Sequence, residues 1–514
     1  MNSAQVLDLI NDLENRYPVA KWQIGRVHIW PILRARLYTA IVNFYLLPAH
    51  QHPASSYSRL RRFAATPFNL LRMFRAVICD ARKTRLHFLP ADVLILSDGT
   101  SSAKVGGVWY DRIMDPIAER ASSKGKTSFM MSPGWLSLYP RRSSSLFVQV
   151  QLEIRKIQST LQQKLFGIGL PCQLEGVEAL LAELRRNEYS DVIPARAWLL
   201  AHSARVFALA DYFSRALRRV KPEVALVNTY YSAEGFAFCM ACRRAGVPIA
   251  DVQHGSQGRD HMAYGRWNAI PIGGYEMLPD RFWCWGDSER EAIADWSADT
   301  RHASIVAGNA WQSIWKNGSE PFVGPLLAKA RARRRECNAK HHVAITLSWG
   351  YADEELSKIF RAAGRLSRRD HFWWIRLHPA QIGQEVHYAA LARAAGLENF
   401  EIEDATMLPL YAVLSVVDLV VAPGSTTVME AEEWGLRSVV TSEYGVDLCK
   451  AAITSGAAVA ATEEVEIEAA IVSGLTSAPL QALARVSGAS GLDFALENLL
   501  ALRSPGIGAS SASR

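Results

Sequence analysis

Cysteine is scarce in this chain of 514 residues, which contains seven of them at irregular spacing. So few cysteines provide no disulfide framework, and this excludes the class of small disulfide-stabilised secreted domains. Cys239 and Cys242 form a C-x-x-C pair. They lie inside an amphipathic helical pattern without a second Cys/His pair nearby, so we expect them to pack in a core rather than bind metal. The cysteine content predicts a protein of the reducing cytoplasm.

Long apolar runs are also missing. No stretch of about 18 uncharged apolar residues occurs, so the sequence predicts no membrane-spanning helix. The stretch MNSAQVLDLINDLENRYPV carries acidic residues and no continuous apolar core, and we therefore expect no secretory signal there. The Asp-x-Asp pattern, which holds a metal ion in many enzymes, does not appear either. We expect a site without a metal or another cofactor.

Positive charge is concentrated in residues 59–85. The chain carries a net charge of +7, and this segment holds eight basic residues against the single acid Asp80, with aromatic and aliphatic residues interleaved. Two interpretations are open: a helix on an anionic membrane surface, which would place the protein on the cytoplasmic face of the inner membrane, or a solvated helix packed on its own domain. Nucleic acid is not an expected partner, because no recognised binding motif accompanies the charge.

Strands alternate with helices from residue 91 onward, and the alternation stops and restarts once. Runs such as ADVLILSD and EVALVNT end in polar residues, as buried parallel strands do. After a break at about 316–341, HVAITLS and HFWWIRL begin a second series. The sequence predicts an α/β protein with two doubly wound Rossmann-like domains and a helical N-terminal extension. The predicted boundaries are 1–88 for the extension, 89–320 for the first domain, 321–341 for a linker, 342–503 for the second domain and 504–514 for a disordered tail.

Two motifs of the second domain point to phosphate binding. His378 and Pro379 end the strand HFWWIRL, and a turn of small polar residues lies between the strand DLVVAP and a helix. That turn predicts a helix N-terminus with free N–H groups, which bind anions, although its hydroxyls are equally suited to capping the helix. We expect the histidine to end a neighbouring strand and Glu430 to reach a ribose hydroxyl. The predicted nucleotide-binding residues are His378, Pro379, Gly424, Ser425, Thr426, Thr427 and Glu430.

Polar groups also follow three strands of the first domain. Asp98 follows DVLIL, Glu234 lies after EVALV, and His254 follows VPIADV. The carboxyl ends of parallel strands share one edge of a sheet, so these groups are candidates for the base that takes a proton from an acceptor hydroxyl. Each also has a structural interpretation as a turn, helix-start or loop residue. The sequence leaves the choice open.

Together, two doubly wound domains, an HP after a strand and an ST turn some 45 residues later resemble the GT-B glycosyltransferases. Within these they look most like the bacterial transferases that use CMP-activated nonulosonic acids or Kdo. The resemblance implies that His378 and Pro379, with Ser425 and Thr426, hold the phosphate of a nucleotide-sugar donor. The acidic motif of those enzymes matches only in part, since AEG (233–235) and SDG (97–99) each have one acid where two are usual.

A second resemblance covers roughly residues 20–460. IWPILR, YDRIMDPI, VQHG, LPDRFWCWGD and IVAGNAW are similar to proteins of capsule and O-antigen assembly, which implies a glycan or lipid-linked acceptor. Four alternatives stay open: a polyol-phosphate transferase of the teichoic-acid type using a CDP donor, a UDP-sugar transferase, a UDP-sugar 2-epimerase, and a non-catalytic nucleotide-binding scaffold.

Overall fold

The computed structural model describes residues 1–46, 88–99, 101–133, 140–366, 370–478, 480 and 488–503. The basic segment 59–85 and the tail 504–514 lie outside these ranges. The strands are β1 (Gln23–Ile24), β2 (Val27–His28), β3 (Val93–Leu96), β4 (Ser102–Val105), β5 (Val108–Asp111), β6 (Ser128–Ser132), β7 (Ser145–Phe147), β8 (Cys172–Gln173), β9 (Val224–Val227), β10 (Ile249–Val252), β11 (Arg281–Cys284), β12 (Ala303–Val306), β13 (His341–Thr346), β14 (His371–Arg376), β15 (Phe400–Glu401), β16 (Leu419–Ala422), β17 (Arg437–Val440) and β18 (Ala458–Ala460).

Helices connect these strands. They are Ser3–Arg16, Trp30–Leu46, Asp115–Ser123, Gln149–Phe166, Val177–Leu184, Arg196–Val220, Ala233–Ala245, Asp287–Ser297, Ala310–Asn317, Val323–Cys337, Asp353–Arg365, Glu385–Ala394, Glu403–Met407, Leu410–Leu414, Thr427–Glu433, Glu443–Leu448, Lys450–Thr454, Glu464–Thr476 and Gly488–Ala501, with short 3₁₀ helices at Val19–Lys21, Ser190–Val192 and Pro379–Gln381. Among the described helices, none combines the length and the apolar character that crossing a membrane requires.

The first sheet has seven parallel strands in the order β12-β11-β10-β9-β3-β6-β7. Its central strands β3, β9 and β10 are buried along their whole length, because helices cover both faces of a parallel sheet. The strand order reverses between β3 and β9. Ligands of open α/β sheets bind at the carboxyl ends of the strands beside such a reversal.

The second sheet has six parallel strands in the order β15-β14-β13-β16-β17-β18. Here the order reverses between β13 and β16. The α/β class and the two doubly wound Rossmann-like domains expected from the sequence are confirmed. Six strands were not predicted from the sequence: β1, β2, β4, β5, β7 and β8. They are two to four residues long and too short to show a periodic apolar pattern.

The N-terminal helices share the core of the first domain. Val6, Ile10 and Leu33 belong to the same apolar cluster as residues of β3 and β9. Arg34 and Glu14 form a fully buried ion pair of 3.0 Å, and Glu14 also accepts a hydrogen bond from the Trp30 indole at 2.8 Å. Residues 1–46 are therefore integrated into the first domain and not appended to it.

Two other segments differ from the predicted organisation. The stretch 321–341 contains the helix Val323–Cys337, which packs Val323 and Ala330 into a cluster with residues of the second domain. The helix Gly488–Ala501 leaves the second domain and packs Leu492 and Leu499 against the first sheet. It lies so close to that sheet that a side chain at Gly491 would clash with the Ala307 carbonyl.

The C-x-x-C pair lies in the helix Ala233–Ala245. Both Cys239 and Cys242 are fully buried in the apolar core of the first domain, which confirms the packing interpretation. Burial raises the pKa of both thiols well above the ordinary value.

Candidate active site

A hydrogen-bonded network lies at the carboxyl edge of the first sheet, where its strand order reverses. The Thr229 hydroxyl donates to Asp98 Oδ2 at 3.2 Å and lies 3.3 Å from His254 Nε2. The Tyr231 hydroxyl lies 3.4 Å from the same nitrogen. Asp98 is fixed in turn by the bond from its backbone N–H to Asn228 Oδ1, 2.8 Å long. Two of the three predicted base candidates, Asp98 and His254, are thus joined through one hydroxyl.

Thr229 adopts a left-handed backbone conformation with φ of 63°. A β-branched residue is a clear outlier in this region, because its branched side chain crowds the backbone. Such strain persists where the surrounding structure enforces it, and it is concentrated at functional sites. Thr229 is not among the predicted site residues, since nothing in NTYYSAEG marks its backbone conformation.

Glu234 occupies a different environment from Asp98. It lies in the first turn of the helix Ala233–Ala245 and forms an ion pair of 2.5 Å with Lys156. Asp98 and Glu234 both line a cleft of about 250 Å³ next to β3 and β9. The three candidates therefore lie at one edge, but Glu234 is neutralised by a lysine whereas Asp98 is held by hydrogen bonds.

His254 is neutral at pH 7. Burial lowers its pKa below the ordinary value of 6.5, and the nearby Asp98 carboxylate acts in the opposite direction. The neutral imidazole has a lone pair that can accept a hydrogen bond or a proton, while burial disfavours its charged form.

The turn that precedes the helix Thr427–Glu433 presents unused donors. Among the described residues, the N–H groups of Gly424, Ser425 and Thr426 bond to no protein acceptor. Ser425 Oγ lies 3.0 Å from Thr427 Oγ1 and accepts from the Thr427 N–H at 3.2 Å. Thr426 occupies the N-cap position without a capping bond from its side chain. The capping interpretation therefore does not account for the Thr426 hydroxyl.

Close packing fixes the shape of this turn. The Ser348 hydroxyl, which follows β13, donates to the Gly424 carbonyl at 2.7 Å. A β-carbon added to Gly424 would lie 2.8 Å from Gly445 Cα, and one added to Gly445 would lie 2.0 Å from the Pro423 carbonyl oxygen. Only glycine fits at both positions, because backbone atoms cannot move aside as the end of a flexible side chain does.

His378 presents one defined nitrogen to solvent. Its Nδ1 accepts a bond from the Ala380 N–H at 3.1 Å, and its backbone N–H donates to Gln381 Oε1 at 3.0 Å. Since Nδ1 is the acceptor, the neutral ring carries its proton on Nε2 and can donate from there. The ring is exposed, but desolvation by the surrounding protein lowers its pKa below the ordinary value. Pro379 begins the 3₁₀ turn that makes this arrangement.

One expectation about His378 is corrected. Strand β14 is not the neighbour of β16, because β13 lies between them. His378 and Ser425 share an edge, but they are two strand spacings apart, about 10 Å. Ser348 and Trp349 occupy the position between them, and the Trp349 side chain is 68% exposed. A ligand that contacts both motifs must extend past this indole.

Glu430 lies in a cluster of polar groups contributed by both domains. Burial raises its pKa, whereas Arg112 of the first domain and the Tyr411 hydroxyl and Arg376 of the second lower it. Arg376 donates to the carbonyls of residues 405, 406 and 408, so its role is to hold that loop. The predicted contact of Glu430 with ribose competes with these partners and stays a prediction.

The two edges approach each other at Gly255 and Thr426. A β-carbon at Gly255, the residue after His254, would lie 3.5 Å from Thr426 Cγ2. The VQHG motif of the first domain therefore lies close to Thr426, a phosphate-binding candidate of the second domain.

Several residues of the polysaccharide-assembly motifs stabilise this arrangement. Asp111 accepts a hydrogen bond from the Ser97 hydroxyl and bonds at 3.0 Å from the N–H groups of residues 113 and 114. Asn309 caps the helix Ala310–Asn317 and donates to the Tyr411 hydroxyl of the second domain at 3.2 Å. These motif residues position the candidate site and do not line it.

The sequence matches no protein-family model and no curated protein. The structure resembles solved enzymes at low identity. A UDP-GlcNAc 2-epimerase from Neisseria meningitidis bound to UDP-GlcNAc is 13% identical over 80% of this chain and 99% of its own, with a TM-score of 0.45. The Methanocaldococcus jannaschii UDP-GlcNAc 2-epimerase in complex with UDP-GlcNAc and UDP is 10% identical over 79% and 99%, with a TM-score of 0.47. A spinosyn rhamnosyltransferase is 12% identical over 80% and 96%, with a TM-score of 0.37. At these TM-scores the comparison assigns no activity to the chain.

Proposed function

We propose that the protein is a glycosyltransferase that moves a sugar from a nucleotide-activated donor to a surface-polysaccharide or lipid-linked glycan acceptor. The observation that carries the proposal is the close approach of Gly255, the residue after His254, to Thr426. It places a polar edge with base candidates near an edge with unused N–H donors, each at the reversal of its own sheet.

The second domain holds the donor's phosphate in this proposal. The N–H groups of Gly424, Ser425 and Thr426 and the Nε2–H of His378 are directed hydrogen-bond donors, and such donors stabilise the charge that develops on a leaving phosphate oxygen. A phosphate with its attached nucleoside or sugar is long enough to extend from the turn to His378. Trp349, exposed between them, supplies a flat surface on which a base or sugar can stack.

The first domain activates the acceptor. Asp98 is the favoured base, because Thr229 and Asn228 orient it while Glu234 is occupied by Lys156. Asp98 removes the proton of the acceptor hydroxyl as that oxygen bonds to the anomeric carbon. The bond from the anomeric carbon to the phosphate oxygen breaks, and its electron pair leaves with the nucleotide.

The favoured donor is a CMP-linked Kdo or nonulosonic acid, as the HP and ST motifs imply. UDP-sugar 2-epimerisation is the second candidate. It is supported by the acids and the histidine that the fold brings to one edge, since epimerisation at C2 requires groups that remove and return a proton. A polyol-phosphate transferase and a non-catalytic scaffold stay as the remaining alternatives.

A thermal-shift screen with CMP, CDP, UDP, GDP and UMP separates these candidates, because a ligand that binds only the native state raises the melting temperature. Stabilisation by CMP supports the Kdo or nonulosonic-acid donor, CDP the polyol phosphate, and UDP a UDP-sugar enzyme. Incubation with UDP-GlcNAc, followed by NMR, then distinguishes epimerisation from transfer. The absence of stabilisation by every nucleotide would contradict the proposal.

A further inference from the structure

A second cavity lies between the two domains. It has a volume of about 530 Å³, and Ser256, which follows Gly255, is one of its lining residues. The loop 256–261 and the start of the helix Asp287–Ser297 line it from the first domain, and Met429 and residues of the segment 447–455 line it from the second. It is adjacent to the candidate active site but includes neither His378 nor Ser425.

Two buried polar side chains in its wall have unmet hydrogen-bonding capacity. Gln257 is 5% exposed and Glu289 is 4% exposed. Within the described part of the chain, neither amide atom of Gln257 nor Oε2 of Glu289 has a hydrogen-bond partner. Exchanging the two amide atoms of Gln257 would not change this, because both are unpartnered. Buried polar groups are nearly always hydrogen-bonded in folded proteins, so these atoms have capacity to bond to a ligand that enters the cavity.

The charge of the wall argues against an anionic ligand. Its acidic and basic lining residues are Asp260, Glu289, Asp447, Arg259 and Lys450. Arg259 is already paired with Asp295 at 2.8 Å, and Asp260 with Arg266 at 3.5 Å. Glu289 and Asp447 then stand against Lys450 alone. His261, also in the wall, is neutral at pH 7 because burial lowers its pKa to about 3. A phosphate or carboxylate would therefore meet more negative than positive charge.

The remaining wall is apolar apart from the hydroxyl residues Ser3, Ser256, Ser288, Thr454 and Ser455. Met429, Leu448, Ala451 and Ala452 face the cavity from the second domain. Tyr38 lines the other side, where its hydroxyl donates to the Asp260 carbonyl at 2.9 Å. Apolar surface with a few unpaired amide and carboxylate groups suits a sugar ring, which has apolar C–H faces and hydroxyls at its edge.

We propose that this cavity binds a neutral, hydroxyl-rich carbohydrate segment. Gln257 would donate to one hydroxyl and accept from its neighbour, and Glu289 Oε2 would accept from a third. The assignment of this segment to the acceptor glycan rests on the proposed function, whereas the carbohydrate binding does not.

The test uses the full chain and a panel of neutral sugars: glucose, galactose, N-acetylglucosamine, rhamnose and disaccharides of each. Binding is measured by saturation-transfer difference NMR and titration calorimetry. We expect at least one disaccharide to bind, and Gln257→Leu and Glu289→Gln each to weaken its binding at least fivefold. Both variants should leave nucleotide-induced thermal shifts unchanged. Gln312→Leu removes an equally buried amide outside this cavity and should leave sugar binding unchanged.

Three results would overturn the inference: no binding of any sugar in the panel, binding that Gln257→Leu and Glu289→Gln do not alter, or preferential binding of sugar phosphates over the neutral sugars. Glu289→Gln preserves the shape of the side chain, so a folding defect in Gln257→Leu would not remove the test. If nucleotides bind but sugars do not, this inference fails while the proposed function stands. If nucleotides do not bind, the proposed function fails instead.

Discussion

The Thr229 hydroxyl donates to Asp98 Oδ2 at 3.2 Å from a backbone whose φ is 63°. A strained residue thus orients the favoured base. Residues in sparsely populated conformations cost about 1–3 kcal/mol each. The conformation of Thr229 that orients Asp98 therefore lowers the stability of the protein.

Thr229→Gly is expected to preserve or raise stability while it lowers turnover. Glycine adopts positive φ without strain, so the free energy of unfolding should stay the same or rise by about 1 kcal/mol. Turnover should fall at least tenfold, because Asp98 and His254 lose their shared hydroxyl. Chemical denaturation and donor turnover are the measurements. Lys221 also has positive φ, at 53°, and Lys221→Gly should change stability in the same direction without affecting turnover. Wild-type turnover in Thr229→Gly would contradict the role of the hydroxyl.

The shape of the phosphate-binding turn depends on a glycine. In Gly424→Ala the new methyl group would meet Gly445 Cα at 2.8 Å, so we expect the turn to shift and nucleotide affinity to fall at least tenfold in titration calorimetry. Gly324→Ala is the control, because a methyl group there meets nothing within 4 Å and alanine favours a helix. Equal nucleotide affinity in the two variants would show that the turn does not contact the ligand.

The raised pKa of the Asp251 carboxyl should be visible in how the free energy of unfolding depends on pH. This carboxyl is buried and accepts bonds from the Tyr230 N–H and the Tyr264 hydroxyl, and burial raises its pKa from 3.8 to about 8. The native state keeps a proton that the unfolded state releases above pH 3.8, so this group lowers stability as pH rises towards 8. Asp251→Asn, which mimics the neutral acid, should gain about 1.4 kcal/mol per pH unit relative to wild type between pH 5 and 7. An offset that is constant with pH, measured by denaturation, would refute the raised pKa.

The buried pair of Arg34 and Glu14 tests whether residues 1–46 are integral to the first domain. Glu14→Gln leaves the Arg34 guanidinium, which also lies 4.2 Å from the Trp267 ring, without its counter-charge. Breaking a buried pair costs about 3–5 kcal/mol, so a large fall in the free energy of unfolding is expected. The exposed Asp12 is paired with Arg16, and Asp12→Asn should leave the melting temperature unchanged. A similarly small effect of Glu14→Gln would indicate that the N-terminal helices unfold separately.

The sequence predicted the two sheets because their strands are apolar throughout and end in polar residues, as ADVLILSD and DLVVAP do. It placed Asp98, His254, His378 and Ser425 at strand ends for the same reason. Strand order is not encoded in such local patterns, and β13 was therefore not expected between His378 and Ser425. The backbone conformation of Thr229 and the pairing of Glu234 with Lys156 depend on distant parts of the chain, since Lys156 lies in another helix.

The central claim is that the edge of the second sheet binds the nucleotide's phosphate through the Nε2–H of His378. Titration calorimetry of wild type and His378→Ala with the nucleotide that stabilises the protein most tests it directly. His378 is exposed and its ring bonds locally to the Ala380 N–H, so the variant should melt close to wild type. We predict an affinity at least tenfold lower in His378→Ala, whereas an unchanged affinity would contradict the claim.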